Sequence, residues 1–234
     1  MKPIIVIIED DSVDFGKIKN LFPSGYDFYP VNQTEDNSFL NNVRNSIDNN
    51  YPNKNQAEAD VKHQLNTFSN RIVAFIVDYQ LLNIAEPQVT KSGLKFYQDF
   101  ISKQYPTKPC MILTHLKAAK EVNSILDEID KINDRNKLTL RLKELNDINF
   151  KNSVIDFVKR SNPILQLIEK IKTKAIRCRI DKLDQTLTDI ENNYQNYNDN
   201  IIQILTAFAD CTSEIDNQTQ QTFITNCNNN KITN

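Results

Sequence analysis

Short apolar runs alternate with helix-like segments along the first two thirds of the chain. Four runs are strong, "IIVII" (4–8), "IVAFIV" (72–77), "CMIL" (110–113) and "VIDFV" (154–158), and a weaker fifth, "YDFYPV" (26–31), follows the first helix. Runs without strict alternation of apolar and polar residues are typical of strands that are buried on both faces. Strands that alternate with helices predict an α/β fold with a doubly wound, five-stranded parallel sheet.

Two connections between these runs are long. Residues 35–70 are polar and are interrupted by "NNYPNKN", which predicts two helices there. Residues 116–150 carry apolar side chains at helical spacing, which predicts two further helical stripes. The first stripe contains Val122, Ile125, Ile129 and Ile132, and the second contains Leu138, Leu142 and Leu145. The α/β domain is predicted to cover residues 1–175.

After Pro163 the apolar positions are spaced alternately by four and three residues. They are Ile176, Ile180, Leu183, Leu187, Ile190, Tyr194, Tyr197, Ile201, Ile204 and Phe208. This heptad pattern predicts a long helical extension over 176–210, paired as a coiled coil or as antiparallel helices. The segment 176–208 is then a possible homodimer seam, and the alternative is an amphipathic helix packed on its own domain. Residues 211–234 are rich in Asn, Gln and Thr and are predicted to form a flexible tail.

Polar residues follow the strong apolar runs, at the point where each predicted strand ends. They are Glu9, Asp10 and Asp11 after the first run, then Asp78, Thr114 and Lys159 after the others. The carboxyl ends of parallel strands converge on one crevice, where ligands bind. Carboxylates that face each other need a cation among them, and oxygen ligands of this type suit Mg²⁺. With a hydroxyl and an ammonium beside them, the set predicts phosphoryl transfer onto an aspartate.

These segments resemble the receiver domains of two-component response regulators. The resembling stretches are "VIIEDDS", "FIVDYQL", "SGLKFYQDF", "MILTH" and "DFVK", within residues 1–175. The resemblance implies a flavodoxin-like fold in which Glu9, Asp10 and Asp78 bind Mg²⁺ and Asp78 accepts the phosphoryl group. It also implies that Thr114 and Lys159 contact the phosphoryl oxygens. The implied partner is a histidine kinase or phosphotransfer protein of a phosphorelay.

The sequence departs from the family's pattern at its last motif. Family members usually have a proline after the lysine and an aromatic residue three places before it. Here Phe157 lies two places before Lys159, and Arg160 follows. Alignment on the aromatic residue would place Arg160 in the lysine's position. We favour Lys159, because an ammonium is a compact point charge whereas a guanidinium is a rigid fork.

Simpler interpretations apply to the remaining polar residues near the strand ends. Asp11 is expected to be solvated or to cap the first helix, and Ser12 could equally be the cap. His115 is expected to lie in a solvent-facing loop, and His63 on the surface. With only two histidines in the chain, a zinc site is not expected.

Two other functions are compatible with parts of this pattern. A pseudo-receiver that only scaffolds partners would keep the fold without phosphotransfer. A haloacid-dehalogenase-type phosphatase also uses an aspartyl nucleophile at a strand end, but it expects a D-x-D motif, and "VDYQL" has Gln80 at the second position.

Composition excludes some classes of partner. The net charge of −2 argues against a protein that coats nucleic acid or anionic lipid. No apolar run approaches the roughly 20 residues that span a bilayer, and the first residues are not expected to form a signal peptide. The four cysteines lack metal-binding spacing, so we expect reduced thiols in a cytoplasmic protein. The C-terminal part lacks a basic recognition helix, so we expect output through contact with other proteins.

Overall fold

The computed structural model describes residues 2–22, 25–31, 37–82, 90–116, 119–132, 138–177, 183–197, 200–211 and 216–232. The chain forms two compact units: the first is Ile4–Val158, and the second is Lys159–Asn234 together with Met1–Pro3. The boundary expected from the sequence was residue 175, some way into the second unit.

The first unit is built on a five-stranded parallel sheet. The strands of the chain are β1 (Ile4–Ile8), β2 (Asp27–Tyr29), β3 (Ile72–Asp78), β4 (Gln80–Leu82), β5 (Thr90–Ser92), β6 (Cys110–Thr114) and β7 (Leu138–Leu142). The sheet has the order β2-β1-β3-β6-β7, and β4 and β5 form a separate antiparallel pair. Counting only the five strands of the sheet, the order is 2-1-3-4-5, which is compatible with a flavodoxin-like fold.

Helices cover both faces of the sheet, as a doubly wound fold requires. The helices of this unit are α1 (Ser12–Lys19), α2 (Asn37–Ile47), α3 (Lys54–Asn66), α4 (Gly93–Phe96), α5 (Ser102–Gln104), α6 (Ala119–Asp130) and α7 (Ile148–Ser161). A π-helical stretch, Tyr97–Ile101, joins α4 to α5. One apolar core lies between the sheet and α2, α3, α4, α6 and the π-helical stretch, and a second lies between the sheet and α1 with α7. The two helices predicted in 35–70 are confirmed as α2 and α3.

The predictions of three buried central strands are confirmed. Every residue of β1, β3 and β6 is buried. Successive residues of β1 face opposite cores: Ile4, Val6 and Ile8 pack on one side, and Ile5 and Ile7 on the other. These strands therefore hold their carboxyl ends rigidly beside one another.

The predicted fifth strand, "VIDFV" (154–158), is wrong. This segment lies within α7, where Phe150, Val154 and Val158 are buried. A spacing of four residues places these three side chains on one face of a helix, so the run reflects helical rather than strand periodicity.

The fifth strand is β7, in a segment for which we predicted a helical stripe. Leu138 and Leu140 pack against the core of the sheet, and β7 pairs in parallel with β6. The period of two in "LTLRL" is that of a strand with one face toward the core and the other toward solvent. The sheet thus has the predicted number of strands, but its last strand lies about 16 residues earlier in the chain.

The second unit is a set of shorter helices rather than one long helix. They are α8 (Pro163–Arg177), α9 (Asp184–Asn193), α10 (Asn200–Asp210) and α11 (Asn217–Asn229). The prediction of a continuous helix over 176–210 is therefore wrong. A 3-10 turn at Tyr194–Asn196 follows α9, in a segment rich in Asn, which is a poor helix former.

Most of the heptad positions are buried in the core of this unit. They are Leu183, Leu187, Ile190, Tyr194, Tyr197, Ile201 and Phe208, with Ile204 partly buried beside them, while Ile180 lies outside the described residues. Apolar residues spaced alternately by four and three positions can be buried between consecutive helices of a bundle as well as in one coiled coil. A dimer along this seam stays a prediction, and it would require the buried side chains to separate.

The tail predicted to be flexible contains α11. Phe223 and Cys227 of this helix are buried in the same core. Beyond the helix, the Lys231 Nζ lies 2.8 Å from the Asp189 Oδ2 of α9. Among the helices that the structure describes, none combines the length and the apolar character needed to cross a membrane.

Candidate functional site

Five polar residues meet at the carboxyl edge of the sheet. Glu9 and Asp10 directly follow β1, Asp78 and Thr114 are the last residues of β3 and β6, and Lys143 directly follows β7. Glu9, Asp10 and Asp78 each offer a carboxylate oxygen, and these oxygens lie within 4.8 Å of one another. The three acids predicted as metal ligands are therefore brought together in a buried cluster that could bind a metal ion.

Lys143 is the cation at the centre of this cluster. Its Nζ lies 2.6 Å from the Glu9 Oε2, 3.1 Å from the Asp14 Oδ2 and 3.5 Å from the Asp78 Oδ2. Its backbone N–H donates to the carbonyl oxygen of Thr114 at 2.7 Å, which extends the β6–β7 ladder by one residue. This bond fixes where the side chain enters the site.

Lys143, rather than Lys159, is the lysine that follows a strand and contacts these acids. Lys159 and Arg160, the two residues considered for this role, lie in the last turn of α7 with exposed side chains and do not end a strand. The signal that could have identified Lys143 is the period-two alternation of "LTLRL" immediately before it. We interpreted that segment as a helix, so its last residue was not considered as a strand end.

Burial changes the proton affinities of two acids in the cluster. Burial raises the pKa of Glu9 to about 8, with a further increase from the charge of Asp78 and a decrease from Lys143. Burial also raises the pKa of Asp78, to about 6, while Lys143 opposes the increase. At neutral pH most Asp78 side chains are therefore ionised and able to act as a nucleophile.

The backbone of Asp78 is held by a very close helix start. A Cβ placed on Gly93 would lie 2.0 Å from the Asp78 carbonyl oxygen and 2.7 Å from the Val77 Cγ1. The Ser92 Oγ caps α4 by accepting a hydrogen bond from the Lys95 N–H at 3.3 Å. Only glycine lets α4 begin directly against the end of β3, so the "SG" pair fixes the position of Asp78.

A second cation approaches the cluster from α2. The Arg44 Nη2 lies 3.5 Å from the Asp10 Oδ2, and Arg44 is only 4% exposed. Sequence reasoning missed this residue, because nothing in the polar segment 35–70 indicates which side chain of α2 faces the site.

The neighbouring polar residues have clear local roles. The Asp11 Oδ1 accepts hydrogen bonds from the backbone N–H groups of Val13 and Asp14, so Asp11 caps α1 as expected, and Ser12 is not the cap. His115 is exposed, as predicted, and its Nε2 lies 3.1 Å from the Asp14 Oδ2.

Thr114 is fully buried at the end of β6. Its Oγ1 accepts a hydrogen bond from the Leu116 N–H at 3.1 Å. The hydroxyl thus closes the first turn after the strand, and its own hydrogen can be donated to a ligand.

The cluster has a surplus of negative charge when all of its groups are ionised. Its carboxylates are those of Glu9, Asp10, Asp14 and Asp78, and its nearly buried cations are Lys143 and Arg44. The carboxylates outnumber these two cations and the Lys17 ammonium, which lies 3.6 Å from the Asp14 Oδ1, so a divalent cation would reduce the surplus of negative charge. Oxygen ligands in small number are the set that Mg²⁺ prefers.

No model of a known protein family matches the sequence, and no curated protein matches it either. The carboxyl edge of the sheet, with its buried acids and Lys143, is therefore the feature of the molecule that indicates a function.

Proposed function

We propose that the first unit is a receiver-type phosphoacceptor domain, in which Asp78 accepts a phosphoryl group from a histidine kinase or phosphotransfer protein. Glu9, Asp10 and Asp78 would hold Mg²⁺. The observation that carries the proposal is the position of the Lys143 Nζ, 2.6 Å from Glu9 and 3.5 Å from Asp78. An acid cluster, a nucleophilic aspartate and a buried ammonium then meet at the ends of three parallel strands.

The reaction assigned to these residues is a displacement at phosphorus. A carboxylate oxygen of Asp78 forms a bond to phosphorus, the bond from phosphorus to the donor's imidazole nitrogen breaks, and that nitrogen takes up a proton. Mg²⁺, when bound, supplies positive charge to the phosphoryl oxygens. The Lys143 ammonium and the Thr114 hydroxyl are the donors that the chain itself offers to those oxygens.

The output is proposed to be contact with another protein. Phosphorylation would move Thr114 and Lys143 toward the phosphoryl oxygens. It would also shift the equilibrium between conformations of the loops that follow the strands. A histidine-kinase partner would place the protein in the cytoplasm.

A pseudo-receiver scaffold is the second candidate, and one observation favours it. Lys143 and Arg44 already lie against the acids that would bind the metal, so the cluster is partly neutralised without one. In that case the acids and cations would be a structural ion-pair network, and the site would not need to accept a phosphoryl group.

Incubation with a small-molecule phosphodonor separates the two candidates. We expect the full chain to gain one phosphoryl group in intact mass after treatment with acetyl phosphate and Mg²⁺, and to gain none when EDTA removes the metal. The aspartyl phosphate should be lost on treatment with neutral hydroxylamine, as expected for an acyl phosphate. A chain that gains no mass with Mg²⁺, while still folded by circular dichroism, would favour the scaffold.

A further inference from the structure

Arg44 is an unusual cation because it is buried and poorly satisfied. It is 4% exposed, and its contacts among the described residues are a 3.2 Å hydrogen bond to the Asn41 Oδ1 and the 3.5 Å contact with the Asp10 Oδ2. Within the described part of the chain, its Nε has no hydrogen-bond partner. A guanidinium carries five N–H donors and normally binds a carboxylate through two parallel hydrogen bonds. Arg44 makes only one contact with Asp10, at the upper limit of hydrogen-bond length.

The two buried cations contact different acids. Lys143 contacts Glu9 and Asp78, whereas Arg44 contacts Asp10. Asp10 is also one of the three acids whose oxygens converge within 4.8 Å. A divalent cation bound by this cluster would therefore share the Asp10 carboxylate with the guanidinium.

We propose that Arg44 is a built-in counter-ion that competes with the divalent cation for Asp10 and so sets the metal affinity of the site. This inference rests on the proposed metal site. A guanidinium remains charged at every accessible pH, so its repulsion of the metal is permanent. A single and a double charge about 5 Å apart repel enough, even in the dielectric of bulk water, to weaken binding on the order of tenfold.

The competition also links the site to α2. The apolar side of this helix, formed by Phe39, Leu40, Val43 and Ile47, is buried in the core of the unit. Because α2 is held by this packing, Arg44 can move away from Asp10 only by changing its rotamer or by shifting the helix. Metal binding is therefore coupled to the two-helix segment between β2 and β3.

The affinity of the full chain for Mn²⁺, measured by electron paramagnetic resonance of the free ion, tests the inference, and competition with Mn²⁺ gives the affinity for Mg²⁺. Arg44→Gln should tighten binding by about tenfold or more, because the repulsion is removed. Arg44→Lys, which keeps the charge, should stay within about threefold of the unchanged protein. Arg71→Gln is the matched control: Arg71 pairs with Asp27 at the amino edge of the sheet, and its loss should leave the affinity unchanged.

The possible outcomes separate this inference from the proposed function. If the unchanged protein binds Mn²⁺, Asp10→Asn weakens binding, and Arg44→Gln leaves it equal or weaker, the metal site stands and the competition is overturned. If neither the unchanged protein nor Arg44→Gln binds Mn²⁺, the metal site and the inference both fail. Should Arg44→Gln not fold by circular dichroism, Arg44→Met, which is apolar and similarly long, replaces it with the same expected gain.

Discussion

The Nζ of Lys143 lies 3.5 Å from the Oδ2 of Asp78, although the two residues are 65 positions apart in the chain. Both side chains are almost fully buried, so Asp78 depends on Lys143 for charge compensation, and Lys143 depends on Asp78 and Glu9. A phosphoryl group on Asp78 would add negative charge beside this ammonium. The pair thus connects the stability of the site with its proposed chemistry.

Replacing Lys143 should reduce both the stability of the protein and its phosphorylation, whereas replacing Lys159 should reduce neither. Lys143→Gln leaves Glu9 and Asp78 without their buried cation, and we expect a loss of about 3–5 kcal/mol in the free energy of unfolding. The rate of phosphorylation by acetyl phosphate should fall at least tenfold, because the transition state loses one hydrogen-bond donor. Urea unfolding and intact mass measure the two effects.

Lys159→Gln is the matched control, because it makes the same chemical change on an exposed helix position. Its unfolding free energy should change by less than about 0.5 kcal/mol. Equal phosphorylation of Lys143→Gln and the unchanged protein would remove Lys143 from the proposed mechanism.

Gly93→Ala should destabilise the first unit. The new Cβ would lie 2.0 Å from the Asp78 carbonyl oxygen, so α4 or the end of β3 must move. We expect a cost of about 1–3 kcal/mol, as for other overpacked sites, together with slower phosphorylation because Asp78 is displaced. The midpoint of urea unfolding gives the first quantity.

Gly16→Ala is the control for this change. Gly16 lies in α1, and a Cβ there would meet no described atom within 4 Å apart from its chain neighbours and the backbone of its own helix. Alanine in a helix interior is favoured over glycine by about 0.5–1 kcal/mol, so Gly16→Ala should stabilise the protein. If both alanine variants had the same stability, the close approach at Gly93 would not explain the glycine.

Asp189 should make the second unit sensitive to acid. Hydrogen bonds from Lys231 and from the Tyr197 hydroxyl, the latter 2.6 Å long, lower the pKa of Asp189 below 3.8. Because the folded pKa is the lower one, the stabilisation is complete above the unfolded pKa and is lost as pH falls through the folded value. Since Asp189 is partly exposed, we expect an effect of at most about 1 kcal/mol.

Urea unfolding of the full chain at several pH values, between about pH 3 and pH 7, tests this prediction. Asp189→Asn should be less stable than the unchanged protein at neutral pH, and the difference should shrink toward the acid end. Asp210→Asn removes the carboxylate of a more exposed ion pair with Lys170 and serves as control. A difference between Asp189→Asn and the unchanged protein that is constant with pH would contradict the assignment.

The residues that could be predicted from sequence are those on fully buried strands. The runs that form β1, β3 and β6 are apolar on both faces, so their positions and the acids that follow them are evident. Strand β7 is at the edge of the sheet, and its short alternating pattern resembles part of a helical stripe. Lys143 was missed for this reason.

Long-range packing determined the features that sequence could not give. Arg44 reaches Asp10 only because the buried apolar side of α2 sets the orientation of the helix. The local sequence pattern of this polar segment does not show that orientation. In the second unit, the heptad spacing correctly marked buried positions such as Leu187 and Ile201. It could not distinguish one long helix from consecutive helices packed together, because both bury the same spacing.

The most direct test of the account is to locate the phosphoryl group. After treatment with acetyl phosphate and Mg²⁺, borohydride reduction of an aspartyl phosphate yields homoserine, which peptide mass spectrometry can place in the sequence. We predict homoserine at position 78, no incorporation in Asp78→Asn, and full incorporation in Asp11→Asn, since asparagine also caps helices well. Full incorporation in Asp78→Asn, or homoserine at another position, would contradict the account.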